Sequence, residues 1–470
     1  LHENAVGFLY ENQSGTESAR GLVFLTKSGV LTTINQDCGV LRTNPKKQIM
    51  RARFLFVIIG ICCIAAVGAL LILHVLSPPP RRPNVLLITL DTLRRDHLSC
   101  YGYERKTTPT IDKLADEGMK YEDAITPASW TLPAHASIFT GMLPTFHGAH
   151  YGPIIGEMEK ESLMILALGE KPATLAGELK KAGYVTGAII SGPVLHSNSG
   201  LSRGFEFYFD GYIREPTSTA FYRPAHETTM LAVRWLKEEY SRPRSEPFFL
   251  FLNYFDPHSP YNAPEPWGTS DAPPERCKIS SGYYDDIFEG VRDLTDEEHQ
   301  FLIRQYDDEI RYMDWQIQRL FFEMQQMGLY DDTMIIVTSD HGETFGEHRL
   351  LGHGRALYDE LLRVPLIIRY PLKDGRTGVV KHRVSIASIM STVLEYLGLS
   401  IPREVAYKPL NEDNQPIVAE IFRDVTWIVD YGPRFNRDMK ALYEGDYKWI
   451  WSSTGKHELY NIAEDPSEID

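Results

Sequence analysis

Five apolar runs punctuate the chain after residue 83, at 84–90, 185–190, 247–254, 333–339 and 365–370. They are rich in Val, Ile, Leu and Phe and do not alternate strictly with polar residues, the pattern of strands buried on both faces. Stretches of helical periodicity lie between them, at 109–118, 172–182, 225–240 and 296–327. In the last, Phe301, Ile303, Ile310, Met313, Ile317, Leu320, Phe321 and Met324 recur along one face and Gly328 supplies a stop. This rhythm of βα units predicts an α/β fold whose mixed or parallel sheet carries helices on both faces. After about residue 415 the pattern changes to short aromatic runs of period two at Thr426–Val429, Met439–Tyr443 and Tyr447–Trp451. Gly445-Asp446 between the last two predicts a hairpin in a small antiparallel C-terminal subdomain.

One further apolar stretch has a different character. Phe54 to Leu76 contains no formally charged side chain and has His74 as its only ionisable group. At about 1.5 Å per residue it is long enough, as a helix, to span a hydrocarbon core of about 30 Å. Lys46, Lys47, Arg51 and Arg53 precede it, and Ser77-Pro78-Pro79-Pro80 is not a small-x-small cleavage site, so it reads as an N-inside signal anchor. The expected layout is an N-terminal tail over 1–53, a transmembrane anchor over 54–76 and a Pro/Arg linker over 77–83. A catalytic domain follows over 84–414, and the C-terminal subdomain over 415–470. Met50 would open the signal-anchor sequence, leaving residues 1–49 as an upstream extension or a tail. The globular part then sits on the extracytoplasmic side of the membrane. Residues 262–295, rich in Pro, Gly, Ser, Asp and Tyr, read as a long surface excursion near the substrate mouth.

The chemistry-bearing residues gather at strand ends. Asp91 closes the run Asn84–Leu90, and Asp340, followed by His341, closes Thr333–Ser339. In open α/β sheets ligands bind at the carboxyl edge, and two carboxylates converging there repel one another unless a cation intervenes. His258 follows the run 247–254, with Asp256 placed to orient it, and His353 stands between Gly352 and Gly354 in a loop with little apolar packing of its own. Thr131 precedes Leu132, Pro133, Ala134 and His135, a helix start with Pro in the first turn. Thr131 is there either an N-cap or an oxygen at the positive end of a helix, where negative charge is stabilised.

Composition narrows the function. The chain has 470 residues, 43% of them hydrophobic, enough for one large α/β domain and a smaller unit. A net charge of −15 without a basic stripe excludes a nucleic-acid binder. The five cysteines show no CxxC and no regular spacing, which excludes a zinc knuckle and a disulfide framework. Arg94 and Arg95 read as anion ligands or as solvated charges at a helix start. Glu343 and Glu347 read as caps of a helix after Asp340, and His135, His147, His150 and His348 as incidental loop histidines. Trp130 and Tyr261 are placed at the mouth.

Taken in order, Pro83–Asp91, Thr131-Leu132-Pro133-Ala134-His135 with Thr140-Gly141, and Ser339-Asp340-His341-Gly342-Glu343 resemble the sulfatase family of the alkaline phosphatase superfamily. Gly346-Glu347-His348, Gly352-His353-Gly354, Arg363–Ile367 and the tail Glu458-Leu459-Tyr460-Asn461 extend the likeness over roughly residues 83 to 465. The resemblance implies an alkaline-phosphatase-like, mostly parallel sheet and one divalent cation bound by Asp91, Asp340 and His341, with Thr131 completing the shell. Oxygen-rich ligation with one imidazole admits calcium, manganese or zinc. Thr92 stands where many sulfatases carry a second metal-binding Asp. Family sulfatases have Cys or Ser at position 131, converted to formylglycine, and an Arg where this chain has His135. Threonine would not give that aldehyde, so Thr131 resembles the direct nucleophile of phospho-transfer relatives. His258 and His353 would act on the leaving oxygen or the transferred group. The expected function is that of a membrane-anchored, metal-dependent hydrolase of anionic sulfate or phosphate/phosphonate esters. The alternatives are an envelope phosphoglycerol- or phosphoethanolamine-type transferase and a catalytically silent binding protein of sulfatase fold.

Overall fold

Seven consecutive residues of Asn84–Leu90 (β1) are buried, as are all seven of Phe248–Tyr254 (β5) and of Thr333–Ser339 (β6). Runs without polar alternation take this form because both faces of their sheet are covered. The computed structural model describes residues 82–153, 163–211, 222–240, 246–268, 287, 292–412 and 415–469, with the short pieces 6–11, 20–25, 31–35, 46, 50, 53–56 and 59–60. Two units result, Leu1–Pro80 and Arg81–Asp470. In the first, Val6–Glu11, Arg20–Leu25 and Leu31–Asn35 pair as an antiparallel sheet. Among the described residues no helix is long and apolar enough to cross a membrane. The stretch 54–76, read above as an anchor, lies outside the described residues except for 54–56 and 59–60, and most of 262–295 lies outside them too.

The second unit is built on a nine-stranded sheet. With Met119–Ile125 as β2, Val185–Ile189 as β3, Phe207–Phe209 as β4, Arg363–Arg369 as β7 and Gly378–Val380 as β8, its order is β8-β2-β7-β6-β1-β5-β3-β4. Val384–Ser385 also pairs with β2. Strands β6, β1, β5, β3 and β4 are parallel, and β7 is antiparallel to both of its neighbours. Side chains of β1 alternate between two cores. Leu86, Ile88 and Leu90 join Ile310, Met313 and Ile317 of the helix Asp296–Gln326, while Val85 and Leu87 join Leu132, Ala136 and Phe139 of the helix Thr131–Thr140. The long helix opens with a capping box in which Thr295 Oγ accepts from Glu298 N (3.3 Å) and Glu298 Oε2 accepts from Thr295 N (2.9 Å). The sheet of mostly parallel strands with helices on both faces is therefore present.

The small antiparallel subdomain is also present, with Ile417–Ile421 (β9), Met439–Glu444 (β10), Tyr447–Ser452 (β11) and Glu458–Asn461 (β12) paired in that order. Gly445-Asp446 forms the two-residue turn, with Gly445 at φ 58°. Thr426–Val429 is not a strand: it lies in a helix, Val425–Tyr431. The four-residue run fits either period, and the structure uses the i,i+4 pair Trp427–Tyr431, whose rings lie 4.4 Å apart.

One buried cation joins this subdomain to the carboxyl edge. Lys448 of β11 is fully buried and pairs with Asp359 Oδ1 at 2.8 Å and Glu468 Oε1 at 2.6 Å. Glu468 Oε2 also accepts from Asp359 N (2.6 Å), and Tyr443 Oη donates to Asp359 Oδ1 (2.7 Å). Asp359 opens the short helix Asp359–Leu362, and Leu361 O at its end accepts from Gly342 N (2.9 Å), next to His341. One ammonium serves two carboxyls. Against the cost of burial, Lys448 and Arg363 hold Asp359 below its ordinary pKa, whereas burial raises Glu468 to about 7 with Lys448 opposing and Asp359 reinforcing.

Removing that cation by Lys448→Met leaves two buried carboxyls without their partner and is expected to lower stability by about 3–5 kcal/mol, read from the urea midpoint. Glu468 makes a pH-dependent contribution. Folded protein holds its proton up to about 7 and unfolded chain releases it near 4.5, so the contribution is full at low pH and is lost as pH rises through that window. Glu468→Gln is expected to flatten the fall in the urea midpoint between about pH 5 and pH 8.

Candidate metal centre and active site

Strand register brings the acidic residues together. Leu90 of β1 faces Ser339 of β6 on one side and Tyr254 of β5 on the other, so Asp91 and Asp340 leave adjacent strand ends at the same level. Asp91 N donates to Tyr254 O (2.9 Å), which fixes the start of the turn. Thr92, the next residue, has φ 57°, a left-handed conformation rare for a β-branched residue. Tyr306 Oη holds that turn by donating to Thr92 O (2.7 Å), and Thr92 N donates to Asp340 Oδ1 (3.3 Å). Position 92 thus contributes a strained backbone N–H to the site.

His341 is set with one ring edge committed. Its Nδ1 lies 2.9 Å from Gly342 O, an acceptor, so Nδ1 carries the proton and Nε2 presents a lone pair. That lone pair faces Asp340 Oδ2 at 3.4 Å, Asp91 Oδ1 at 3.7 Å and Thr131 Oγ1 at 3.3 Å. A Cβ on Gly342 would lie 1.9 Å from Glu360 O, so this close backbone approach requires glycine. Both oxygens of Asp91 and Oδ2 of Asp340 are buried without a hydrogen-bond partner. Burial, then Asp340 and Glu343, push the Asp91 carboxyl well above its ordinary pKa, partly offset by the Asn253 side chain. Burial raises Asp340 to about 6 and lowers His341 to about 3. The three ligand atoms lie within 4.8 Å of one another. Orphaned carboxylate oxygens and an imidazole lone pair turned toward one point form a donor set that fits a divalent cation.

Thr131 is the first residue of the helix Thr131–Thr140, and Trp130 is its N-cap, so the N-cap reading of Thr131 does not hold. His135, one turn on, is no incidental loop residue. Its Nδ1 lies 2.8 Å from Thr131 O and 3.5 Å from Asp340 Oδ2, and its Nε2 lies 2.8 Å from Thr89 Oγ1. It ties the helix start to Asp340 and to β1. The other three histidines of that group are placed by packing: His147 bonds Ser137, His150 stacks on Phe422 and His348 stacks on Tyr358.

A row of imidazoles leads away from Thr131. The His353 ring lies 4.4 Å from that of His341 and 4.9 Å from that of His258. His353 Nδ1 lies 2.9 Å from Glu343 Oε1, and Tyr261 Oη donates to Glu343 Oε2 (3.1 Å). No helix follows Asp340 directly, so Glu343 caps nothing; it holds His353. Glu347 likewise pairs with Arg94 at 2.7 Å, and Arg94 also grips Asp96, which leaves Arg94 a buried structural ion rather than a solvated charge or anion ligand. Arg95 bonds Glu122 O. Asp256 does not orient His258, whose Nδ1 lies 2.6 Å from Ser259 O and whose ring stacks on Phe255. Asp256 pairs instead with Glu309, and burial raises it to about 7. Burial, reinforced by His353 for His258 and by Arg355 for His353, lowers both imidazoles to about 3.

These groups open into a cavity of about 240 Å³ that includes Asp91, Trp130, Thr131, His258, His353 and Arg355 in its lining. Trp130 is a buried part of that lining and stacks on Tyr151 at 4.5 Å. Arg355 and Trp427 were not singled out from the sequence. The Arg355 guanidinium lies 3.1 Å from the centroid of the Trp427 ring, a contact between a loop of the main domain and the helix Val425–Tyr431 that no local pattern encodes.

The sequence profile of the sulfatase family matches residues 83–399. An uncharacterised sulfatase of Escherichia coli is 25% identical over 439 residues, covering 83% of this chain and 82% of that protein. An arylsulfatase of Clostridium perfringens is 25% identical over 448 residues, covering 83% and 89%. The crystal structure of a phosphonate monoester hydrolase of Agrobacterium radiobacter aligns with a TM-score of 0.62 at 23% identity, over 83% of this chain and 91% of that one.

Asp91→Asn and Asp340→Asn each remove a ligand charge and one source of repulsion. Both are expected to lower bound metal, measured by elemental analysis after dialysis, by at least about tenfold in affinity, and to raise the melting temperature of chelator-treated protein above that of chelator-treated wild type. Unchanged metal content in both variants would remove these carboxylates from the site.

Proposed function

The chain belongs to the sulfatase family of the alkaline phosphatase-like superfamily, a family of ester-hydrolysing enzymes, and on that premise we propose that it cleaves sulfate or phosphate/phosphonate esters with Thr131 as the direct nucleophile. The observation that carries this reading is the position of Thr131 Oγ1, at the start of a helix and 3.3 Å from His341 Nε2, in a cavity also lined by Asp91. Asp91, Asp340 and His341 would hold one divalent cation, with manganese or zinc favoured over calcium by the imidazole and by Thr92 standing in place of a further carboxylate. Such an ion, when bound, supplies Lewis-acid stabilisation of anionic oxygens.

The chain's own residues do the rest. The positive end of the helix Thr131–Thr140 favours negative charge at Thr131 Oγ1 and on the oxygens of the transferred group. The Thr131 hydroxyl loses its proton to solvent, Oγ1 bonds to sulfur or phosphorus, and the bond from that atom to the ester oxygen breaks, so that the oxygen leaves as the alcohol. His353 is the better-held proton donor for that oxygen, because Glu343 on its Nδ1 side stabilises the charged ring and leaves Nε2 for the substrate. His258, in ring contact with His353, orients the leaving oxygen. Water then releases the group from Thr131. Burial keeps both rings neutral without substrate, and an anionic group bound between them favours the protonated form.

We further propose that the enzyme is anchored through residues 54–76, with the catalytic domain outside the cytoplasm. Support comes from the uncharged run Phe54 to Leu76 and the cluster Lys46, Lys47, Arg51 and Arg53 before it.

Thr131→Ala is expected to lower kcat at least about 100-fold on whichever of the sulfate, phosphate and phosphonate esters the wild type turns over, with melting temperature and metal content retained. Thr131→Ser should keep measurable turnover, and intact-mass analysis of inhibited enzyme should place the transferred group on residue 131. Full activity in Thr131→Ala would refute the nucleophile.

A further inference from the structure

A second cavity, of about 460 Å³, adjoins the first, and His258, His353, Arg355 and Trp427 line both. Its size is that of a site for a small organic molecule. The walls are mainly apolar, and Tyr261, Leu302, Phe345, Leu351, Trp427 and Tyr431 are among the lining residues. No Asp, Glu or Lys is among the described residues that line it, and Arg355 is the only permanently charged one. The guanidinium lies against the face of Trp427, so it presents a flat edge at the boundary between the two chambers.

The placement relative to Thr131 gives this chamber a role. In an in-line displacement the attacking and leaving oxygens lie on opposite sides of the transferred group. From Thr131 the imidazoles run through His341 and His353 to His258, and the last two stand at the threshold of the second chamber. An ester whose anionic group sits by Asp91 and Thr131 therefore directs its alcohol past His353 and His258. A polyhydroxylated sugar in that chamber would meet a mainly apolar wall among the described residues, with few side chains placed to partner its hydroxyls. The Tyr261 and Thr344 hydroxyls there already donate, to Glu343 and to Gly352 O, and the other polar side chains of the described lining include those of Ser259, Tyr431, Arg355 and the two imidazoles. Each unpartnered buried hydroxyl costs on the order of 1–3 kcal/mol.

We propose that the second chamber is the leaving-group site and that the enzyme is selective for esters of apolar, ring-containing alcohols over esters of glycans. This rests on the hydrolase reading above, since it names the alcohol of the ester cleaved at Thr131.

Two measurements on the full-length chain separate the two ideas. Binding of free 2-naphthol and of N-acetylglucosamine is measured by calorimetry on wild type, Leu302→Gln and Tyr431→Ala, with melting temperatures to verify folding. Naphthol is expected to bind at least about 100-fold more tightly than the sugar, and at least one of the two variants to weaken naphthol by about tenfold. In parallel, kcat/KM is compared for naphthyl and methyl esters of the acid that the wild type hydrolyses. The naphthyl-to-methyl ratio should fall by about tenfold in the same variant, a change in selectivity that general destabilisation would not produce. Sugar binding equal to that of naphthol, or unchanged naphthol binding in both folded variants, overturns the chamber's assignment. Naphthol binding as expected with no ester turned over would leave the chamber standing as a ligand site and overturn both the hydrolase reading and the leaving-group role.

Discussion

Two buried carboxylates and an imidazole lone pair aimed at one point form the constraint around which the molecule is arranged. Asp91 and Asp340 are fully buried, and three of their four oxygens make no hydrogen bond. Such a group of acceptors is unfavourable in a protein interior unless a cation sits among them or protons neutralise them. Everything around the group holds it in place despite that cost. Parallel strands in register set the two strand ends level, Tyr306 pins the left-handed turn at Thr92, and Gly342 O keeps the proton of His341 on the far side of the ring. Strain and electrostatic cost concentrated at one sheet edge are the usual marks of a preorganised site.

The C-terminal subdomain takes part in that preorganisation. Its buried Lys448 fixes Asp359, the helix begun by Asp359 receives the Gly342 amide, and Gly342 follows the candidate ligand His341. A second link runs from Trp427 to Arg355, in the loop that carries His353. The loop of Asp340 to Gly342 and the loop of His353 are therefore both braced from the C-terminal subdomain, one from its sheet and one from its helix.

Residue 131 gives the site its individual character. His135, at the position where the resemblance implies an Arg, is spent on Thr89, the Thr131 carbonyl and Asp340, so it positions the helix start. Under the proposed function, positive charge for an anionic ester would come from a bound cation, the helix end, Arg355 and a protonated imidazole. Three histidine rings lie in contact, and Glu343 is bonded to His353 among them, which is what the proposed acid role of His353 rests on.

Much of this was legible in the chain. Buried strands announce themselves by unbroken apolar runs, long helices by their periodicity, and ligands at strand ends by acidic residues that close those runs. These are local patterns, and Asp91, Thr131, Asp340, His341, His258 and His353 were all reached from them and from the order of their motifs. Partner choice was not legible. Glu343 read as a helix cap, Asp256 as the orienter of His258, Arg94 as a solvated charge or anion ligand, and Thr426–Val429 as a strand, because each reading used only sequence neighbours. Contacts across some 250 residues gave Arg94 to Glu347, and others gave Asp256 to Glu309 and Trp427 to Arg355. The sequence by itself determined the buried strands of the sheet and the acidic residues that close them, since these follow from local periodicity and residue chemistry, while the candidate ligand set and nucleophile came from the order of the family-like motifs. Only the tertiary structure decided which groups hold them and what adjoins them, because hydrogen bonds, ion pairs and cavities are made between segments whose distance along the chain carries no information about their distance in space.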